Sequence, residues 1–158
     1  MNKIICNMTE LNKFVKTLNE GKFVVRVGIM GNKAANIHKG SKMTNADIGA
    51  IHEFGSYSDK IPARSFLRMP LFQKSKQIIN EVGKRALSWL LKGNKKQILI
   101  ELGKSCEGVI QDAFNSGGFG SWIPLKETTI KRKIGQNTQP LINTSQLRRS
   151  ITSQVIKK

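Results

Sequence analysis

Residues 70–115 read PLFQKSKQIINEVGKRALSWLLKGNKKQILIELGKSCEGVIQDAFN, and this stretch decides the architecture. In its second half Leu99, Leu102, Cys106, Val109, Ile110, Ala113 and Phe114 recur at the three-and-four spacing of one helical face. In its first half Ile78, Ile79, Val82, Ala86, Trp89 and Leu90 line a face in the same way. Pro70 suits a first helical turn, where its missing N–H costs nothing. Gly93-Asn94 breaks the pattern between the two halves. The spacing predicts long helices over about Pro70–Lys92 and Lys95–Asn115, the first running ~35 Å. Cys106 falls on the apolar stripe, so packing is its expected role rather than reactivity.

The flanks supply shorter elements. Thr9 reads as the N-cap of a helix carrying Leu11, Phe14, Val15 and Leu18, ended by Asn19 and Gly21. Lys22–Met30 alternates as a strand, with Arg26 on the polar side. Gly31–Met43 mixes glycine with basic side chains and has little periodicity, so it reads as a mobile loop. Thr44 and Asp47 form a short capping box ahead of a helix whose apolar stripe is Ile48, Ile51 and Phe54, stopped by Gly55. Ser56–Ala63 is extended or turning. Ser116–Ser121, SGGFGS, reads as a second mobile loop. A short helix follows near Lys126–Ile134, and then a turn over Gly135–Pro140. One helical turn spans Ser145–Ser150, capped by Thr144 or Ser145, and Ile151–Ile156 forms a final strand. The sum is one α+β domain over residues 1–158, with a small, mostly antiparallel sheet packed against two long helices.

Composition narrows the function classes. Leu, Ile, Val and Phe make up 44 of 158 residues, above the roughly one-fifth below which a chain stays disordered. The apolar cluster Leu87–Leu91 is far too short for a bilayer core of ~30 Å, so no membrane association is expected. Lys3 followed by Ile4, Ile5 and Cys6 is no signal-peptide core. Cys6 and Cys106 stand in no paired motif, which argues against a disulfide framework or structural zinc and for a reducing compartment. The 27 Lys and Arg against 10 Asp and Glu leave a formal net charge of +17, densest after Ser121. Such a field attracts polyanions. The single Tyr and two Trp are scattered, however, and give no platform for stacking bases. A docking face for acidic proteins is the first reading of the charge, and DNA binding without sequence specificity is the alternative.

No catalytic constellation emerges. His52-Glu53 lacks the second His of a helical zinc-protease motif, and Gly31–Lys42 lacks phosphate-loop spacing. There is no GxSxG elbow, and Cys106 has no evident partner His. Gly117-Gly118-Phe119-Gly120 does not match the dinucleotide fingerprint. A metal-dependent nuclease built on Asp47, His52 and Glu53 would lack a second acidic cluster. The chain therefore reads as a non-enzyme with no catalytic residues, metal, cofactor or small-molecule substrate.

Three patches are more specific than packing requires: NADIGAIHEFG (residues 45–55, ending in IHEFG), KIPARSFLR (60–68), and WIPL (122–125) together with PLINTSQLRRSI (140–151). A helix end with a solvated Glu53 and a buried Phe54 is the bland account of the first. In the second, Arg64 and Arg68 flank Phe66-Leu67, and Pro62 holds Ile61 extended, as in an arm that docks on a neighbouring subunit or, more plainly, a tucked-in lead to the long helix. On that reading Phe66→Ala or Arg68→Glu impairs assembly more than folding.

Taken in order, and with Thr129 to Lys133 as a Thr-x-x-x-Lys stretch, these patches resemble the phage virion-morphogenesis, or tail-completion, proteins and the related head–tail joining and neck proteins. The resemblance spans about residues 22–156. The family pattern usually has Gly where this chain has Ser145, and it often continues into another hairpin. The resemblance implies a structural protein of α+β fold that forms a ring, often six-fold, at the tail or neck, through which DNA passes. Its partners would be further copies of itself and other tail or neck proteins, in the bacterial host cytoplasm during assembly and in the virion afterwards. The residues expected at assembly contacts are His52, Glu53, Phe54, Ile61, Pro62, Arg64, Phe66, Leu67, Arg68, Leu147, Arg148 and Arg149.

Overall fold

The computed structural model describes residues 23–157 together with Thr9 and Lys16. Apart from those two positions, the helix expected after Thr9 lies outside the described residues. Strand β1 (Phe23–Ile29) pairs antiparallel with β2 (Ile151–Lys157), in a register running from Phe23 opposite Lys157 to Ile29 opposite Ile151. This is the small antiparallel sheet of the expected α+β fold, here two-stranded. Between the strands come α1 (Asn32–Ala35), α2 (Asn45–Phe54), α3 (Arg68–Leu91), α4 (Lys95–Ser116), α5 (Glu127–Arg132) and α6 (Gln146–Ser150). A 3-10 turn covers Ile134–Gln136.

The two long helices form where the apolar periodicity places them. Their connection is tight: Gly93 N–H donates to Leu90 O, and the Asn94 side chain accepts from Gln97 N to cap α4. Helix α4 is sandwiched, with α3 on one side and both strands on the other. Gly103 permits the close approach. A methyl group there would lie 2.6 Å from Ser153 Oγ and 3.3 Å from Val25 Cγ1. The core gathers Phe66, Ile110, Ala113, Phe114, Trp122, Leu147 and Ile151, taken from segments far apart in sequence. Phe114 holds its centre, 5.3 Å from the Phe66 ring and 5.8 Å from Trp122 in an edge-on arrangement, the geometry aromatic quadrupoles favour.

Several expectations need correcting. Helix α2 does not bury an Ile48/Ile51/Phe54 stripe as its main face. Its buried residues are Asn45, Gly49 and Glu53, four apart, while Phe54 is 64% exposed. Ile79, placed on the inner face of α3 with Ile78, is 65% exposed. One residue is 100° of helix, so Ile78 and Ile79 cannot share a face fully. The segment Gly31–Met43 carries α1 and an antiparallel bridge between Ile37 and Thr44, besides its irregular turns. In SGGFGS, Gly117, Gly118, Phe119 and Gly120 all hold positive φ. That left-handed run ends α4 and lays Trp122 across Gly118, where an added Cβ would meet the indole at 2.3 Å. Three glycines make the run tolerable, because other residues occupy this region at a cost.

The glycines of the long helices give a test of this packing. Gly83 and Gly108 face open space, so alanine at either should stabilise the fold by about 0.5–1 kcal/mol through helix propensity. Gly103→Leu should destabilise it by about 2–3 kcal/mol, because the helix must part from the strands. Urea denaturation of the three variants measures both signs.

Candidate functional site

The site begins with Glu53. This carboxylate is 4% exposed and sits at the end of α2. Its Oε2 accepts from Phe66 N at 2.8 Å and Leu67 N at 2.9 Å. Its Oε1 accepts from Ser65 Oγ at 2.6 Å, and from Arg68 N and Arg68 Nε at 3.1 Å each. The N-cap residue of α3 is Leu67, which has no side chain able to cap. Glu53 therefore supplies from α2 the acceptor that α3 lacks, at the positive end of the helix dipole. Burial alone would raise the Glu53 pKa, but the hydrogen bonds from Ser65, Leu67 and Arg68 hold it below the usual carboxylate range.

Arg64 forms the second anchor. It is 6% exposed; its Nε donates to Ile123 O at 2.8 Å and its Nη2 to Pro124 O at 3.3 Å. Trp122 Nε1 answers from the other side by donating to Ser65 O at 3.0 Å. A third contact joins the C-terminal patch. Gln146 Nε2 donates to Asn45 Oδ1 and Ile37 O, while Gln146 Oε1 accepts from Lys39 N. His38 Nδ1 shares Asn45 Oδ1 at 2.8 Å. IHEFG, KIPARSFLR, WIPL and PLINTSQLRRSI are thus locked into one region.

Between them opens a groove of about 630 Å³. Ile48, Ile61, Pro62, Leu125, Leu141 and Leu147 supply apolar lining. Lys60, Arg64, Lys126, Arg132 and Lys133 supply charge, and Asp59 is the acid among the lining residues. His52 also faces the groove, with its Nδ1 buried and without a partner. Burial lowers the His52 pKa to about 4, helped by the positive charges of Arg64 and His38. A smaller hollow of about 260 Å³ lies where Phe54, Leu67 and Arg68 meet Ile29, Gly49 and Glu53. Arg68 stacks its guanidinium 4.7 Å from the exposed Phe54 ring.

The residues expected at assembly contacts divide accordingly. Phe66, at 0% exposed, Glu53, Arg64 and Leu147 are buried within the subunit. They tie its segments together and are unavailable as surface contacts. Phe66→Ala is therefore a core truncation, not an assembly lesion, because the ring packs against Phe114 rather than projecting from an arm. His52, Ile61, Pro62 and Leu67 are half-buried along the two hollows. Phe54, Arg68 and Arg149 are exposed. Arg148 is half-buried, its Nε bonded to Gln111 Oε1 at 2.5 Å. Asn45, Trp122 and Gln146 lie within the three patches but are not among the expected contact residues; each carries a long-range side-chain bond of the site. Asp47 is taken up by the capping box with Thr44, and Glu53 by its five donors, so neither converges with His52. Among the described residues no group of three or more His, Cys, Asp or Glu could hold a metal ion. No helix among them is long and apolar enough to cross a membrane. Comparisons with protein-family models, curated proteins and solved structures give no match.

Removing the Glu53 carboxylate leaves three backbone N–H groups and two side chains without an acceptor. Glu53→Ala should cost about 3–5 kcal/mol and Glu53→Gln less, since the amide keeps one oxygen. Urea midpoints measure this, and a loss under about 1 kcal/mol for Glu53→Ala would show that α3 does not depend on the cap.

The pH dependence has a defined sign. Unfolded, His52 takes a proton near its ordinary 6.5; folded, only near about 4. Between those values the unfolded chain binds more protons, so stability falls as pH falls, by about 3 kcal/mol across the window. Glu53, held below its ordinary value of 4.5, adds a loss of the same sign at lower pH. We expect urea midpoints to drop from pH 7 to pH 4, with His52→Gln flattening the limb above pH 4.5.

Proposed function

We propose that this chain is a structural phage or prophage protein of tail completion or head–tail joining, which assembles with copies of itself as a ring. The observation that carries the reading is the convergence of the family-like segments. IHEFG holds KIPARSFLR through Glu53, KIPARSFLR holds WIPL through Arg64, and the helical turn of PLINTSQLRRSI closes on α2 through Gln146. Four short motifs, each weak alone, behave as parts of one structural device. Ser145 adds support. Its φ of +59 lies in the left-handed region that favours glycine, at the position where the family pattern carries Gly.

The outer surface of α3 suits self-association. Met69, Phe72, Ile79 and Leu87 are exposed and fall on one helical face, with Lys76 and Gly83 between them. An exposed apolar face of this kind on a 24-residue helix marks an interaction surface. A ring contact is heterologous and needs a different, complementary patch on the other side of the subunit. Tail and neck proteins are the further partners, in the host cytoplasm and then in the virion. A role in DNA binding without sequence specificity rests on net charge alone and is the weaker reading.

Size-exclusion chromatography with light scattering tests the assembly. We expect the protein, alone or with a neighbouring tail protein, to form a multi-subunit species. Phe72→Glu combined with Ile79→Glu should reduce it to a folded monomer with unchanged circular dichroism. A wild-type protein that stays monomeric under both conditions refutes the ring.

A further inference from the structure

We propose that the basic groove between α2, the Tyr57–Arg64 turn, WIPL and the Leu141–Leu147 segment is a docking site for an acidic, partly apolar peptide segment of a protein partner. The inference deepens the assembly reading by naming where and how such a partner is held.

The groove carries an imbalance of charge. Five cationic side chains line the groove: Lys60, Arg64, Lys126, Arg132 and Lys133. Asp59 is the acid among the lining residues, and its Oδ2 already accepts from Ser56 Oγ at 2.5 Å and Ser58 Oγ at 3.3 Å. Among the described residues no carboxylate forms an ion pair with any of the five. Arg64 is the sharpest case. It is as thoroughly buried as Glu53, yet its protein acceptors are two backbone carbonyls, which carry no countercharge. Lys133 lies half-buried nearby, donating to Gln139 O. Burial and the charge of Arg64 both push its ammonium pKa down. Buried cations without an anion are costly, and one that enters from outside relieves the cost. The electrostatic complement of the groove is therefore carboxylate or phosphate.

The remaining lining chooses between those chemistries. Apolar side chains, among them Ile48, Ile61, Pro62, Leu125, Leu141 and Ile142, form the rest of the wall. They would be wasted on a bare anion. Phe, Tyr and Trp are absent from the lining, so a base has no ring to stack on. A volume of about 630 Å³ lies within the range that encloses a ligand or short segment. A peptide alternating carboxylates with apolar side chains satisfies the charge and the wall together.

The test is fluorescence anisotropy with a labelled octapeptide alternating Glu with Leu and Ala, at about 50 mM salt. We expect it to bind the full chain in the micromolar range, and its Gln-for-Glu counterpart to bind about tenfold weaker or worse. Lys126→Glu with Arg132→Glu, both exposed at the rim, should weaken binding about tenfold. Lys84→Glu with Lys96→Glu, an equal charge change on the long helices, should leave it within about twofold. Circular dichroism confirms that each variant is folded. Three results overturn the site: no binding up to about 1 mM, equal loss in both double variants, or an oligothymidylate that displaces the peptide with the same dependence on Lys126 and Arg132. Light scattering on the same samples separates this from the ring. Peptide binding to a permanent monomer sinks the ring and leaves the groove, and a ring that ignores the peptide does the reverse.

Discussion

The buried carboxylate of Glu53 is the constraint on which the rest of the structure depends. A helix as long as α3 leaves several N–H groups unsatisfied at its start, and Leu67 can satisfy none of them by its side chain. Glu53 gathers the N–H groups of Phe66, Leu67 and Arg68 from the end of another helix. The arrangement fixes the angle at which the chain enters α3. That angle in turn drops Phe66 into the core against Phe114, at the place where α4 and β2 contribute Ile110 and Ile151. A carboxylate buried this deeply is tolerable only because its hydrogen bonds outweigh the loss of water.

Eleven residues further on, Arg64 shows the opposite solution to a similar problem. Both side chains are almost wholly buried and both cross-link distant segments. Glu53 is met by charge as well as by hydrogen bonds, through Arg68. Among the described residues, Arg64 is met by the carbonyls of Ile123 and Pro124 and by no carboxylate. The first arrangement is electrostatically closed. The second leaves net positive charge inside the protein and so faces outward in its chemistry, even though the guanidinium itself points to the backbone of WIPL.

The long helices and both strands were legible in the sequence because their apolar periods are regular and long. The short elements were legible where punctuation is chemical, as in the Thr44–Asp47 capping box, present with both of its bonds. What stayed hidden follows from one assumption, that the inward face of a helix is the apolar one. In α2 the inward residues are Asn45, Gly49 and Glu53. Glycine there leaves room for the Ile29, Phe66 and Leu147 side chains around it. Asn45 is held in the interior by Gln146 as well as the nearer His38, and Glu53 by the Ser65–Arg68 segment, partners mostly more than ten residues away. No local pattern encodes partners at that separation. KIPARSFLR misled for the same reason: an Arg-flanked aromatic pair looks like an arm until Arg64 finds the carbonyls of WIPL.

Net charge is the weakest guide to what such a protein binds, and local compensation is a better one. A charge of +17 spread over a surface is screened within about 8–10 Å at ordinary salt, so most of those lysines act singly. Screening fails where side chains sit together in a partly dry groove. There burial disfavours the charged forms of Arg64 and Lys133, the charge of Arg64 adds to the effect on Lys133, and His52 is kept neutral beside them. The excess charge after Ser121 contributes Lys126, Arg132 and Lys133 to that wall, and the turn before Arg64 contributes Lys60. Charges separated by some seventy residues of sequence become one electrostatic feature because Arg64, with Trp122 bonded to Ser65, ties their segments together. The buried guanidinium is thus both a bond that shapes the groove and a charge in its wall that no carboxylate among the described residues answers.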